Sequence, residues 1–272
     1  MENHRFRRFP APTFAVLVCA AVACLATGGW AAGPPVEAAA NMAAATGGGP
    51  ITAGRMVRFG DGVGYLVEPA TPGRHAAVIV IQEWWGLNGW VKQQARRLAR
   101  RGYVALAPDL YHGKVATTPQ QAMQLMRGFD VRRGLQDLES AYDYLWRNPR
   151  VAKGQIGEIG WCFGGGMAAR FAERQPMLKA CVIYYGDLPS KGLGLIRCPV
   201  LGNFGGADRV VTPARAQAFA RALRAHGVVV NVKIYPGMPH AFAHLQTAAG
   251  VAATKDAWAR TIGFFQAHLR GQ

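Results

Sequence analysis

Short apolar runs alternate with longer amphipathic ones along most of this chain, and that rhythm leaves few architectures open. The run Ala76-Ala77-Val78-Ile79-Val80-Ile81-Gln82 has no polar face before its last residue. It reads as a strand buried on both sides, which is the condition of a strand in a parallel sheet. Further strands are predicted at residues 104–107, 155–161, 180–185, 199–204 and 228–235, with an opening hairpin from residues 55–59 and 64–67 around Asp61-Gly62. Between them, residues 91–101, 120–127, 131–147, 162–173, 213–226 and 252–269 have helical spacing. Val131, Leu135, Leu138, Tyr142 and Leu145, for example, form one apolar stripe. Parallel strands need crossovers, and helices both cross and cover the apolar faces. The expectation is an α/β fold in which one domain, residues 51–272, carries a mainly parallel central sheet with helices on both faces.

Composition agrees with one sizeable core. Half of the 272 residues are hydrophobic and 17% are charged, which excludes a disordered chain. The first 32 residues differ from the rest. His4, Arg5, Arg7 and Arg8 precede an uncharged apolar run over residues 13–26, and Gly29-Trp30-Ala31 puts small residues where a signal peptidase reads. This predicts a secretory signal peptide over residues 1–32 and export to the periplasm or medium. The apolar run is shorter than the roughly 20 residues of a membrane span, so no stable span is expected once the leader is removed. Ala21-Val22-Ala23-Cys24 resembles a lipoprotein signal, and Arg7-Arg8 a twin-arginine one, more weakly. Residues 33–50, rich in Ala, Gly and Pro, read as a flexible mature N-terminus.

The net charge of +16 invites a nucleic-acid reading. The arginines are scattered, however, as in Arg96, Arg97, Arg100 and Arg101 on one helix and Arg215, Arg221 and Arg224 on another. No basic run is interleaved with aromatics, so the charge reads as solvated helix faces and no nucleic-acid partner is expected. Outside the leader stand Cys162, Cys181 and Cys198, whose spacing fits no zinc pattern. Cys181 falls in a predicted strand and reads as a core residue, while a Cys181–Cys198 disulfide is open. No metal and no organic cofactor are expected.

The sharpest local signal is Gly160-Trp161-Cys162-Phe163-Gly164. A strand that turns abruptly into a helix leaves no room beside the turn, and glycines two before and two after the apex remove the side chains that would collide. The apex residue is thrown outward at a helix N-terminus, whose dipole favours a thiolate. This is a nucleophile elbow with cysteine at its tip. Asp208 follows the strand at 199–204, and His240 follows the strand ending at Tyr235. Alone, Asp208 reads equally well as a turn cap and His240 as an idle loop histidine. Together they supply nucleophile, acid and histidine in the chain order that an elbow of this type requires, each after its own strand.

These stretches resemble the dienelactone hydrolase family of the α/β-hydrolase fold. The resemblance is carried by Gln82-Glu83-Trp84-Trp85-Gly86-Leu87-Asn88, Pro108-Asp109-Leu110-Tyr111, the Cys162 elbow with Gly165, Tyr184-Tyr185-Gly186, the Asp208 loop and His240-Ala241-Phe242. It implies hydrolysis of small carboxylic esters or lactones by a Cys-His-Asp triad through a covalent acyl-enzyme. It also implies that Glu83 contacts the resting thiol and takes its proton when substrate binds, and that the backbone N–H groups of Trp84 and Phe163 form the oxyanion hole. An ion pair to an arginine is the plainer role for Glu83, and packing the plainer role for Trp84 and Trp85, of which one is expected in the pocket and one buried. Tyr111 and His112 fall near the implied pocket mouth, the latter otherwise reading as a surface residue like His75, His226 and His268.

The departures bear on substrate. The family grips its substrate carboxylate with two arginines. One position is His244 here, and the other falls near Pro119 or Gln120. The resemblance therefore implies the reaction more firmly than the dienelactone substrate. Other readings are a non-catalytic small-molecule-binding protein on the same fold, or another acyl-transfer enzyme of that fold, and a monomer or small homo-oligomer fits each of them.

Overall fold

The computed structural model describes residues 48–269. The leader expected at 1–32 and nearly all of the linker at 33–50 lie outside the described residues. Among the described residues, no helix is long and apolar enough to cross a membrane.

Eight strands form one sheet: β1 (Arg55–Phe59), β2 (Gly62–Val67), β3 (His75–Ile81), β4 (Val104–Pro108), β5 (Val151–Trp161), β6 (Ala180–Tyr184), β7 (Val200–Gly205) and β8 (Val230–Tyr235). Their spatial order is β1-β2-β4-β3-β5-β6-β7-β8. β2 runs antiparallel to both neighbours, and every pair from β4 onward is parallel. The opening hairpin pairs Arg58 with Val63 across its turn, as Asp61-Gly62 predicted.

Six α-helices cover the sheet: α1 (Gly89–Arg100), α2 (Pro119–Arg127), α3 (Val131–Arg147), α4 (Phe163–Arg174), α5 (Pro213–Ala225) and α6 (Ala248–His268). Alternation along β3 shows how one strand serves two cores. Ala77, Ile79 and Ile81 pack with Leu138 and Leu145 of α3 and Phe171 of α4, while Ala76, Val78 and Val80 pack with Leu98 of α1 and Phe265 of α6. Each fully buried aliphatic side chain of this kind contributes about 1.5–3 kcal/mol relative to exposure. A strand between two helical layers must be apolar throughout, which is why β3 lacks the polar alternation of a half-buried strand.

Five of the helices start on a side-chain cap. Asn88, Thr118, Asp130, Thr212 and Thr247 accept from amides of the first turn, each worth ~1 kcal/mol. α4 differs, because its cap position is Cys162 and no side-chain cap bond is made there. The sequence placed most boundaries within a residue or two. α6 starts at Ala248, four residues before the predicted 252, and β5 begins at Val151 rather than Gln155. Two short 3-10 turns, Leu193–Leu195 and Phe242–His244, were not anticipated.

Candidate active site

β5 ends at Trp161, and the chain then doubles back into α4. At the bend Cys162 has φ 51° and ψ −115°, a conformation that costs an L-residue about 1–3 kcal/mol. It is held by two backbone bonds, Cys162 N–H to Tyr184 O at 3.0 Å and Gly166 N–H to Cys162 O at 3.1 Å. The flanking glycines are required by contact. A Cβ on Gly160 would stand 2.1 Å from Gly164 O, and one on Gly164 would stand 2.4 Å from the carbonyl oxygens of Ile81 and Gln82. Strand and helix touch backbone to backbone, so the sulfur has one direction left. Cys162 is half-buried and packs at the margin of the core.

His240 lies in the loop after β8, and its Nε2 is 3.1 Å from Cys162 Sγ. Its Nδ1 is 2.9 Å from Asp208 Oδ2, with both side chains buried. The other oxygen of Asp208 accepts from the amides of Val210 at 2.7 Å and Val211 at 2.9 Å. The acid loop and the histidine loop are tied by Ala207 N–H to Met238 O at 2.9 Å. Burial opposes charge on His240, but the sulfur of Cys162 and the Asp208 carboxylate outweigh it. The imidazole pKa is pushed up from 6.5 to about 10. The three residues singled out from sequence thus form one continuous hydrogen-bonded relay from a strained thiol to a buried carboxylate.

Glu83, in the loop after β3, is buried and bonds to His244 Nε2 at 2.7 Å. That partner is neither the thiol implied by resemblance nor an arginine. Burial works against the His244 charge as well, yet the Glu83 carboxylate raises its pKa. Trp90 of α1 packs over the His244 ring at 4.5 Å. Trp84 is buried and Trp85 is half-buried, edge-on to each other at 5.1 Å. Phe163 opens α4, and its amide is among those an α-helix leaves without an intrahelical partner. Tyr111 and His112 line a 290 Å³ cavity with Lys114, Phe129 and Arg133. The Tyr111 ring also packs on Phe163 at 5.6 Å. His112 is not an idle surface residue, since its Nε2 is 3.1 Å from the buried Asp137 carboxylate. The three cysteines of the described residues are free thiols, and no group of side chains among those residues could hold a metal ion.

The dienelactone hydrolase family matches residues 63–269. The chain belongs to that family. A relative from Methylorubrum extorquens, provisionally named a carboxymethylenebutenolidase, is 31% identical over 262 residues, covering 89% of each chain. Protein usf of Aquifex pyrophilus is 32% identical over 79% of this chain and 99% of its own. Among solved structures, m3DLH has a TM-score of 0.72 at 28% identity over 82% of this chain and all of that one. The dienelactone hydrolase of Anabaena variabilis, at 23% identity, shares the fold with a TM-score of 0.62, over 80% of this chain and 98% of its own. This member of the family is therefore an α/β-hydrolase in fold and a hydrolase in class.

Sequence reasoning missed three contributors to the site. Trp90 and Asp137 carry no motif. Tyr185 stood in a quoted stretch without a role, though its position at the carboxyl end of a core strand was the available signal.

Proposed function

We propose that this protein cleaves small carboxylic esters or lactones with Cys162 as nucleophile, His240 as base and acid, and Asp208 as the group that orients His240. The observation that carries the reading is the relay itself, with 3.1 Å from sulfur to Nε2 and 2.9 Å from Nδ1 to Asp208. The raised His240 pKa keeps its imidazole protonated across neutral pH, as the acid that the leaving group needs.

The sulfur attacks the carbonyl carbon, and the carbonyl π pair moves onto oxygen. The N–H groups of Trp84 and Phe163 receive that oxyanion, a contact worth ~3 kcal/mol per donor. As the C–O bond of the ester breaks, His240 passes its Nε2 proton to the leaving alkoxide. Water then enters, the now neutral His240 takes a proton from it, and hydroxide attacks the thioester to release the acid and restore the thiolate. His240 is within bonding distance of the sulfur and Glu83 bonds His244 instead, so His240 and not Glu83 takes the thiol proton. Glu83 acts at one remove, as the buried anion that balances His244.

Purified protein should hydrolyse p-nitrophenyl acetate, and Cys162→Ala should reduce turnover to background. Full activity in that variant would exclude the mechanism, while absence of any turnover in the wild type would favour a pocket that only binds. The basic leader and the short apolar run after it support export, which N-terminal sequencing of the mature protein in the periplasmic fraction would test.

A further inference from the structure

Tyr185 follows β6 at the edge of the sheet where Cys162, Asp208 and His240 gather. Its backbone has φ 38°, a left-handed conformation that an aromatic residue adopts only when its surroundings impose it. The side chain has no exposure at all. Its ring stands edge-on to His240 at 5.2 Å and to Phe242 at 5.4 Å. The hydroxyl at its tip is buried and meets no partner in full hydrogen-bond geometry, with the Glu83 carboxylate as its weak hydrogen-bond neighbour. The charged groups around it are Glu83 from the loop after β3 and Cys162 from the elbow, with the neighbouring phenol of Tyr184. Burial first, then these two negative groups, keep the phenol protonated and hence a donor.

An unmet donor in a dry interior is unfavourable, and a fold that retains one in a strained backbone holds it for a purpose. The acceptor facing it is the Glu83 carboxylate, whose other partner is His244 at 2.7 Å. His244 in turn feels the positive charge of His240. If Glu83 took up a proton, the His244 cation would lose its counter-charge and compete with the His240 imidazolium.

We propose that Tyr185 is a positioning residue of the reaction, sharing Glu83 with His244 by closing its hydroxyl onto that carboxylate and keeping it ionised beside the Cys162–His240 pair. The proposal rests on the hydrolase reading above, and it adds a residue that never touches substrate.

The test is Tyr185→Phe, which deletes one oxygen and leaves the ring. kcat/KM for p-nitrophenyl acetate should fall on the order of tenfold, the size of a hydrogen bond to a charged group. Its acid limb should move to higher pH by about one unit, because Glu83 without its second donor protonates more readily. The fall should lie in kcat, with KM changed less than about twofold. Tm should change little, because the ring keeps its packing on His240 and Phe242. Tyr184→Phe is the control, because the Tyr184 hydroxyl bonds Thr261 of α6 at 2.7 Å and not Glu83; it should lower Tm and leave the limb in place. An unmoved acid limb in Tyr185→Phe overturns the proposal, whatever Tm does. The ionisation of His244, followed by NMR titration of its imidazole, gives a readout that needs no turnover. Its Glu83-linked step should move to higher pH in Tyr185→Phe, and an unchanged titration overturns the proposal even if Cys162→Ala shows that the hydrolase reading itself has failed.

Discussion

Asp208 does two jobs with its two oxygens, and substitutions can separate them. One oxygen accepts from His240 Nδ1 at 2.9 Å, and the other accepts from Val210 and Val211 at 2.7 and 2.9 Å. Asp208→Ala strands both amides, one fully buried and one partly so. A buried donor left unmet costs about 1–3 kcal/mol, so the pair should cost about 2–4 kcal/mol once water reaches the half-exposed one. Asp208→Asn keeps an oxygen for the loop and should lose no more than about 1 kcal/mol. Activity behaves differently. The rise from 6.5 to about 10 is net of a burial that opposes it, with Cys162 and Asp208 both favouring the imidazolium. Losing the carboxylate's hydrogen bond to the charged ring, worth about 2 kcal/mol, lowers the rate about thirtyfold. If the new amide also imposes the wrong imidazole tautomer, the loss approaches ~10⁴-fold. Urea unfolding and ester hydrolysis on both variants decide the matter. Equal stability of the two variants would refute the loop assignment, and Asp208→Asn within threefold of wild-type activity would refute the role in orienting His240.

At the elbow, Gly164→Ala puts a methyl group 2.4 Å from two backbone oxygens of the loop after β3. The start of α4 must move, so stability should fall by about 1–3 kcal/mol and kcat by ~10²-fold; thermal melts and turnover check both, and wild-type behaviour would contradict the close-contact account. Glu173 is raised from 4.5 to about 7 by burial, with Arg170 opposing. The folded state then binds more protons than the unfolded state between those pH values, so its contribution to stability is lost as pH rises from 4.5 through 7. Glu173→Gln should therefore gain about 1 kcal/mol at pH 8, discounted for partial exposure, and nothing at pH 4, by denaturant midpoints. A gain that is the same at both pH values would show that its origin is not ionisation.

What could be read in the sequence followed from local rules. The apolar run of β3, the Asp61-Gly62 turn and the glycine spacing around Cys162 each constrain a few neighbouring residues, and each predicted what the fold contains. The late start expected for α6 has a local cause too: Ala248-Ala249-Gly250-Val251 carries little hydrophobic pattern, and the capping Thr247 had to outweigh its absence. Partner choice was the illegible part. Glu83 and His244 lie 161 residues apart and meet at 2.7 Å, and nothing in either neighbourhood names the other. A role near the thiol could be assigned to Glu83 by resemblance, but its hydrogen bond depends on a histidine standing at a position where the family carries arginine. The Tyr185 strain and the His112–Asp137 contact belong to the same class. They are products of tertiary placement, which no window of sequence contains.

The sheet order explains why so dispersed a set converges. β3, β5, β6, β7 and β8 are successive parallel neighbours, so their carboxyl ends share one edge. Each supplies one group just past that end: Glu83, Cys162, Tyr185, Asp208 and His240. Strands lie about 4.8 Å apart, which puts the β5 and β7 ends roughly 10 Å from each other, too far for a thiol and a carboxylate to meet. An imidazole with a hydrogen bond at each nitrogen spans most of that gap. It can enter only from a strand beyond the acid, because β6, between nucleophile and acid, is occupied by Tyr185 with its ring against His240. The histidine therefore reaches back from β8 over β7, and the knot between Ala207 and Met238 fixes its reach. On this view the order of Cys162, Asp208 and His240 along the chain is a consequence of strand order, and lengthening the 236–239 loop by one residue should lower ester hydrolysis while leaving the sheet intact.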